Sequence, residues 1–143
     1  AIDADGWLHS GDICCRTPDG YYKVTGRLKD MIIRGGENLY PREIEEFLHQ
    51  HPKISDVYVI GVPDVKYGEE LCAWVKVEEG QSLTEAEIRA FCDGKIARMK
   101  IPRYYRFCDT FPMTVTGKIQ KGEMQKVSIA ELGLEKAAEI KTA

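Results

Sequence analysis

Residues 56–62, Asp-Val-Tyr-Val-Ile-Gly-Val, constrain this chain more than any other stretch. Four of the seven are β-branched, which suits a pleated strand packed on its neighbours and penalises a helix. The run is of buried-strand type and stops at Pro63-Asp64. A buried strand needs partners, and two further runs supply them: Leu71–Val77 (LCAWVKV) and Arg103–Asp109 (RYYRFCD). Between these lies helical chemistry. Thr84 with Glu87 forms a capping box, and Ile88, Phe91, Cys92, Ile96 and Met99 keep helical spacing, although Gly94 weakens it.

The first third reads differently. Residues 11–26 form two strand-like runs about Pro18-Asp19-Gly20, a hairpin turn. A short apolar strand, Met31 to Ile33, then meets Gly35-Gly36. Pro41 suits the first turn of a helix because its missing N–H has no partner there anyway. Glu43, Glu45 and Glu46 sit near the positive end of that helix dipole. Ile44, Phe47 and Leu48 share one face, and His51-Pro52 stops it. A last helix starts near Ile119, and residues 128–143 trail off as an amphipathic or frayed tail. The order predicts a small α+β domain with a mixed or antiparallel sheet and helices packed on it. The leading hairpin is poorly supported alone and needs a partner outside these residues.

Composition narrows the function classes. A formal net charge of -3 argues against a general nucleic-acid binder. The apolar fraction of 43% and charged fraction of 30% are those of an ordinary globular protein, with no run of membrane-spanning length. The five cysteines (14, 15, 72, 92 and 108) make no Cys-x-x-Cys or disulfide framework. They are expected to be buried or half-buried reduced thiols in a cytosolic-type compartment or a mitochondrial matrix. The chain opens on Ala1 without methionine, as a fragment would.

Four stretches carry possible chemistry. Gly35-Gly36 is either a plain turn or a bare backbone past which a ligand slides. Asp12, after Gly11, could accept two hydrogen bonds from a sugar diol, or could simply end an Asx-type turn. Gly117-Lys118 lacks the glycine and hydroxyl of a P-loop, since Pro112 and Ile119 hold those places. It remains a lysine on a Thr/Gly-rich turn, suited to an anion or merely to solvent. Arg98 to Phe107 interleaves basic and aromatic residues. Such a mix can bind phosphates and stack on a base, or form a strand with core rings and solvated arginines.

Taken in order, Gly6-Trp-Leu-His-Ser-Gly-Asp12, Gly26–Glu45 (GRLKDMIIRGGENLYPREIE) and Pro112–Lys121 (PMTVTGKIQK) resemble the carboxyl-terminal motifs of the acyl-adenylate-forming superfamily. Asp30–Pro41 is most similar to the fatty and aryl acyl-CoA synthetase branch, and the resemblance covers residues 5 to 126. It implies an ATP-dependent ligase that adenylates a carboxylic acid and passes the acyl group to coenzyme A, with Mg2+ accompanying ATP. Residues 1–28 would be the last hairpin of a large amino-terminal AMP-binding domain absent from this chain. Residues 29–127 would be the mobile carboxyl-terminal domain, and 128–143 a tail.

By position, the resemblance assigns Asp12 to the ribose hydroxyls, Arg27 to the same nucleotide, and Lys29 to the hinge. Lys118 becomes the adenylation lysine. Gly35 and Gly36 line the pantetheine tunnel, where side chains would block the thiol. Tyr67, Lys100 and Arg103 match coenzyme A contacts, while Ile101 departs from relatives with a basic residue there. Two rivals stand beside this reading. One is a same-fold enzyme with another acceptor, such as a carrier protein or a luciferase-like oxygenase. The other is a non-catalytic anion-binding or interaction module.

Overall fold

The computed structural model describes residues 2–142. It opens on an antiparallel hairpin, β1 (Asp12–Arg16) and β2 (Tyr22–Arg27), with a bulge at Ile13/Cys14. Thr17 closes its turn, donating through Oγ1 to the Tyr21 carbonyl at 3.1 Å. Two strands alone bury little, so Trp7, Tyr21 and Tyr22 are each more than 70% exposed. For the same reason Cys14 and Cys15 are exposed, which corrects the expectation of buried or half-buried thiols at those two positions. Cys72 and Cys92 are buried and Cys108 half-buried, and all five are free.

A single 3-10 turn, Leu28–Asp30, joins this hairpin to the main sheet. That sheet holds β3 (Ile32–Arg34), β4 (Glu37–Leu39), β5 (Ile54–Asp64), β6 (Gly68–Val77) and β7 (Tyr104–Phe107). β6 is central. β5 pairs antiparallel along one edge of it, from Ile54↔Val77 to Asp64↔Gly68. The other edge is shared by β3, at Arg34↔Gly68, and by the parallel β7, from Cys72↔Tyr104. β5 and β6 are longer than their apolar runs because ladder pairing carries the strands on through polar residues and Pro63 on the outer strand.

Alternation along β6 divides the core. Leu71, Ala73 and Val75 pack with Ile44 and Leu48 of α1 (Pro41–Leu48) and Ile88 and Cys92 of α2 (Glu85–Cys92). Cys72 and Trp74 pack with Phe111 and with Met124 of α3 (Lys121–Leu132). The predicted capping box of α2 is present, with Glu87 N donating to Thr84 Oγ1 at 3.3 Å and Thr84 N to Glu87 Oε2 at 2.8 Å. The helix ends at Cys92 instead of reaching Met99, because Gly94 takes a left-handed φ of 72°. Ile96 and Met99 still pack on the core, from a loop and a 3-10 turn.

The expected tail is helical. α3 runs through residue 128 to a left-handed Gly133, and α4 (Glu135–Thr142) follows with Ala137 buried. Ser128 explains the ordering. It is 1% exposed, and its Oγ accepts the Trp74 indole N–H at 2.8 Å. Arg106 lies 4.2 Å from the centre of the Trp74 ring and pairs with Glu131 at 2.7 Å, closing the same seam.

Candidate functional site: two clefts beside the central strand

The glycine pair makes a two-residue hairpin turn. Arg34 pairs with Glu37 across it, and φ is 58° at Gly35 and 87° at Gly36. Positive φ at both central residues is the requirement of a type I′ turn, which side chains resist. A Cβ on Gly36 would meet nothing within 4 Å, whereas one on Gly35 would lie 3.3 Å from Tyr67 Cδ1. Turn geometry therefore accounts for Gly36 within this chain, and geometry with close approach accounts for Gly35. The turn creates β4, which sequence reading passed over. Glu-Asn-Leu has three residues, no β-branched member and no alternating pattern.

One cleft, about 760 Å³, is lined by Arg27 and Lys29 from the junction, Val59 to Gly61 of β5, Glu69, Lys118 and Lys121. Lys118 follows the turn 114–117, where Gly117 has φ 81°. The Lys118 amide donates to Thr114 Oγ1 at 3.0 Å, and its carbonyl accepts the Thr114 N–H at 2.8 Å. The Lys118 ammonium is exposed and makes no ion pair or hydrogen bond among the described residues. Lys121, three residues on at the start of α3, is held. Its Nζ donates to Glu45 Oε1 at 2.8 Å and to the Val59 carbonyl at 3.2 Å. Glu45 Oε1 also accepts the Val59 N–H at 2.9 Å, so this glutamate fastens α1 to β5 and α3. Asp12 faces Arg27 across the hairpin, with Arg27 Nε 3.5 Å from Asp12 Oδ1. Four cations meet here, beside the acids Asp30 and Glu69. Such a cleft attracts anions.

The second cleft, about 960 Å³, opens in the gap that β3 and β7 leave along their shared edge of β6. Arg34, Tyr67, Glu70, Arg89, Arg98 and Arg103 line it, with Ile101. Three of its four arginines are engaged, Arg34 with Glu70, Arg89 with Glu85 and Arg103 with Asp64. The exposed Arg98 makes no ion pair or hydrogen bond among the described residues. Arg103 Nη1 lies 3.4 Å from Asp64 Oδ2, whose side chain is 11% exposed. Lys100, outside the lining, is bound to Glu43 of α1 at 2.7 Å. The Tyr67 hydroxyl is shifted below its usual range by its hydrogen bond to Lys66, then by the Lys66 and Arg34 charges. Gly35 is tied in through its N–H, which donates to the Tyr67 carbonyl at 2.8 Å.

Arg27, Lys29 and Lys118 are thus brought to one cleft, and Tyr67 and Arg103 to the other, with Gly35 against Tyr67. Lys100 is drawn away to α1. Sequence reading missed Lys121 with Glu45, and Arg34 with Glu70, because each pair joins residues far apart in the chain. The basic-aromatic stretch divides as a strand does: Tyr105 packs on one side of the sheet and Tyr104 on the other, while Arg106 covers Trp74. Among the described residues, no group of three or more His, Cys, Asp or Glu could hold a metal ion. No described helix is long and apolar enough to cross a membrane.

With this geometry goes a family. The chain belongs to the AMP-binding enzyme C-terminal domain family, which matches residues 43–118. It is 58% identical over 134 residues to the putative acyl-CoA synthetase YngI of Bacillus subtilis (strain 168), covering 94% of this chain and 24% of that protein. It is 51% identical over 133 residues to the mitochondrial medium-chain acyl-CoA ligase ACSF2 of Danio rerio, covering 93% and 22%. ATP-bound MatB from Rhodopseudomonas palustris superposes with a TM-score of 0.83 at 34% identity, over 89% of this chain and 25% of that one. The chain therefore spans under a quarter of the length of these two curated relatives.

Proposed function

We propose that the protein carrying this chain is an ATP-dependent acid–CoA ligase acting on a fatty acid, with Mg2+ accompanying ATP. In the first half-reaction a carboxylate oxygen attacks the α-phosphorus, pyrophosphate leaves, and an acyl-adenylate forms. In the second, the thiol of coenzyme A loses its proton and attacks the acyl carbon, and AMP leaves. The observation that carries this reading is the Lys118 ammonium, which follows an exposed turn, has no partner among the described residues and shares a cleft with Arg27 and Lys29.

The chemistry suits those residues. Adenylation brings two anions together, and a positioned cation stabilises the charge that builds between them. Asp12 accepts from the ribose diol and Arg27 holds the same nucleotide. The residues before the turn 28–30 go with a large amino-terminal domain, and those after it rotate about Lys29 between half-reactions. Rotation withdraws Lys118 and brings up the Gly35-Gly36 turn, with Tyr67, Lys100 and Arg103 toward coenzyme A. Free thiols at all five cysteines suit a reducing compartment, cytoplasm or mitochondrial matrix.

The test is acid-dependent exchange of labelled pyrophosphate into ATP by the full-length protein, followed by thioester formation. Exchange with coenzyme A as the preferred acceptor is expected. Exchange with a carrier protein as the only productive acceptor would move the protein to another branch. No exchange with any carboxylic acid would leave a non-catalytic anion-binding module.

A further inference from the structure

Glu70 is the most deeply buried charged side chain among the described residues, 1% exposed, and neither proposed half-reaction uses it. Its Oε1 and Oε2 accept from Arg34 Nε at 2.7 and 2.9 Å, and Oε1 also accepts the Leu71 N–H at 3.1 Å. Arg34 is 21% exposed in its side chain, and its guanidinium carbon lies 4.2 Å from the centre of the Tyr67 ring. The carboxylate beside it raises the Arg34 pKa further above its usual value, so the guanidinium stays charged. A buried ion pair is a poor source of stability, because desolvating both charges offsets most of their attraction. What it supplies here is direction. Arg34 immediately precedes the glycine turn, Tyr67 immediately precedes Gly68, and the Gly35 N–H donates to the Tyr67 carbonyl at 2.8 Å. Otherwise β3 is joined to β6 by one ladder pair, Arg34↔Gly68, and by the Ile33 N–H, which donates to Glu69 Oε2 at 2.8 Å.

We propose that Arg34 and Glu70 are positioning residues that fix the Tyr67 ring and the Gly35-Gly36 turn as one rigid rim for the incoming thiol substrate. The proposal rests on the acid–CoA ligase reading. The Glu70 carboxylate anchors the guanidinium, the guanidinium seats the ring, and the ring packs where a Cβ on Gly35 would stand. Arg34 and Glu70 lie outside the cleft of Lys118, so the pair acts on the second half-reaction alone.

The test replaces both charges at once. Arg34→Met with Glu70→Leu in the full-length protein removes the pair without leaving a lone buried charge, so thermal unfolding should not fall. The KM for coenzyme A should rise about tenfold, the loss of one well-placed stacking contact. Pyrophosphate exchange should stay at the parent rate. Glu70→Gln, which keeps shape and one acceptor oxygen, is the second variant and should raise that KM less. An unchanged KM for coenzyme A in either folded variant overturns the proposal. So does an equal loss of exchange and thioester formation, which would make the pair structural. Absence of exchange in the parent protein is a separate result and would overturn the ligase reading itself.

Discussion

The two clefts differ in how Lys118 on one side and Arg34 and Arg103 on the other are held. In the first, Lys118 directly follows the turn 114–117 and its ammonium has no partner among the described residues, while Lys121 behind it is locked to Glu45. In the second, Arg34, Arg103 and nearby Lys100 already have carboxylates within 2.7 to 3.4 Å. An unpaired cation meets an incoming anion at full strength. A paired one must exchange partners, so it adds little net attraction but holds its neighbours in place. Lys118 is thus free to meet an anion, whereas Arg34 and Arg103 hold the shape of the second cleft, in which Arg98 makes no ion pair among the described residues.

The sharpest way to break this contrast is to remove the delivered charge. Lys118→Ala in the full-length protein should slow pyrophosphate exchange about 100- to 1000-fold, as loss of a preorganised donor does. Conversion of supplied acyl-adenylate and coenzyme A to thioester should persist. Exchange at the parent rate would reduce Lys118 to a solvated surface residue.

A smaller effect probes shape. A Cβ on Gly36 meets nothing within 4 Å, so the backbone separates Gly36→Leu from Gly36→Asn: Asn tolerates the left-handed region and Leu does not. Thermal unfolding of the isolated chain should show a cost of about 1–3 kcal/mol for Leu and less for Asn. If the tunnel role holds, both variants of the full-length protein lose thioester formation while exchange persists. Loss in the Leu variant alone would mean that only the turn matters.

Smaller again is the trade of partners. Glu43→Gln releases Lys100 from an exposed pair, so stability should change by no more than about 1 kcal/mol. The KM for coenzyme A should fall by up to about fivefold at low salt, and less at high salt. No change at low salt would remove Lys100 from the coenzyme A contacts.

The smallest effect lies away from both clefts. The Glu87 carboxylate is held to about 2 by Lys53, then by its hydrogen bonds with Thr84. Its folded-state value lies below the ordinary 4.5, so the stability it adds is complete above that pH and fades as pH falls toward 2. A side-chain carboxyl titration by NMR should place its midpoint at about 2, and Thr84→Ala should raise it. A midpoint near 4.5 would show that the capping box exerts no hold on the charge.

Much of this was legible in the chain because it depends on neighbours in sequence. Pro41 with the glutamates after it marks a helix start, Thr84 with Glu87 a cap, and Pro18-Asp19-Gly20 a hairpin, each through contacts spanning at most a few residues. The motif order likewise pointed to the family. What the chain concealed depends on long-range pairing. β4 exists because a two-residue turn returns it onto β3, and its own three residues carry no strand signal. The helical order of residues 128–132 is tied to Ser128 meeting Trp74, 54 positions away. Lys100 and Arg103 look equally available in sequence, yet α1 supplies a carboxylate to one and the end of β5 to the other. Local propensity is settled by a few bonds among adjacent residues, so it can be read from order alone. Which distant carboxylate neutralises which cation is decided only when the sheet brings them within reach, and that decision separates the free Lys118 from the held Lys100 and Lys121.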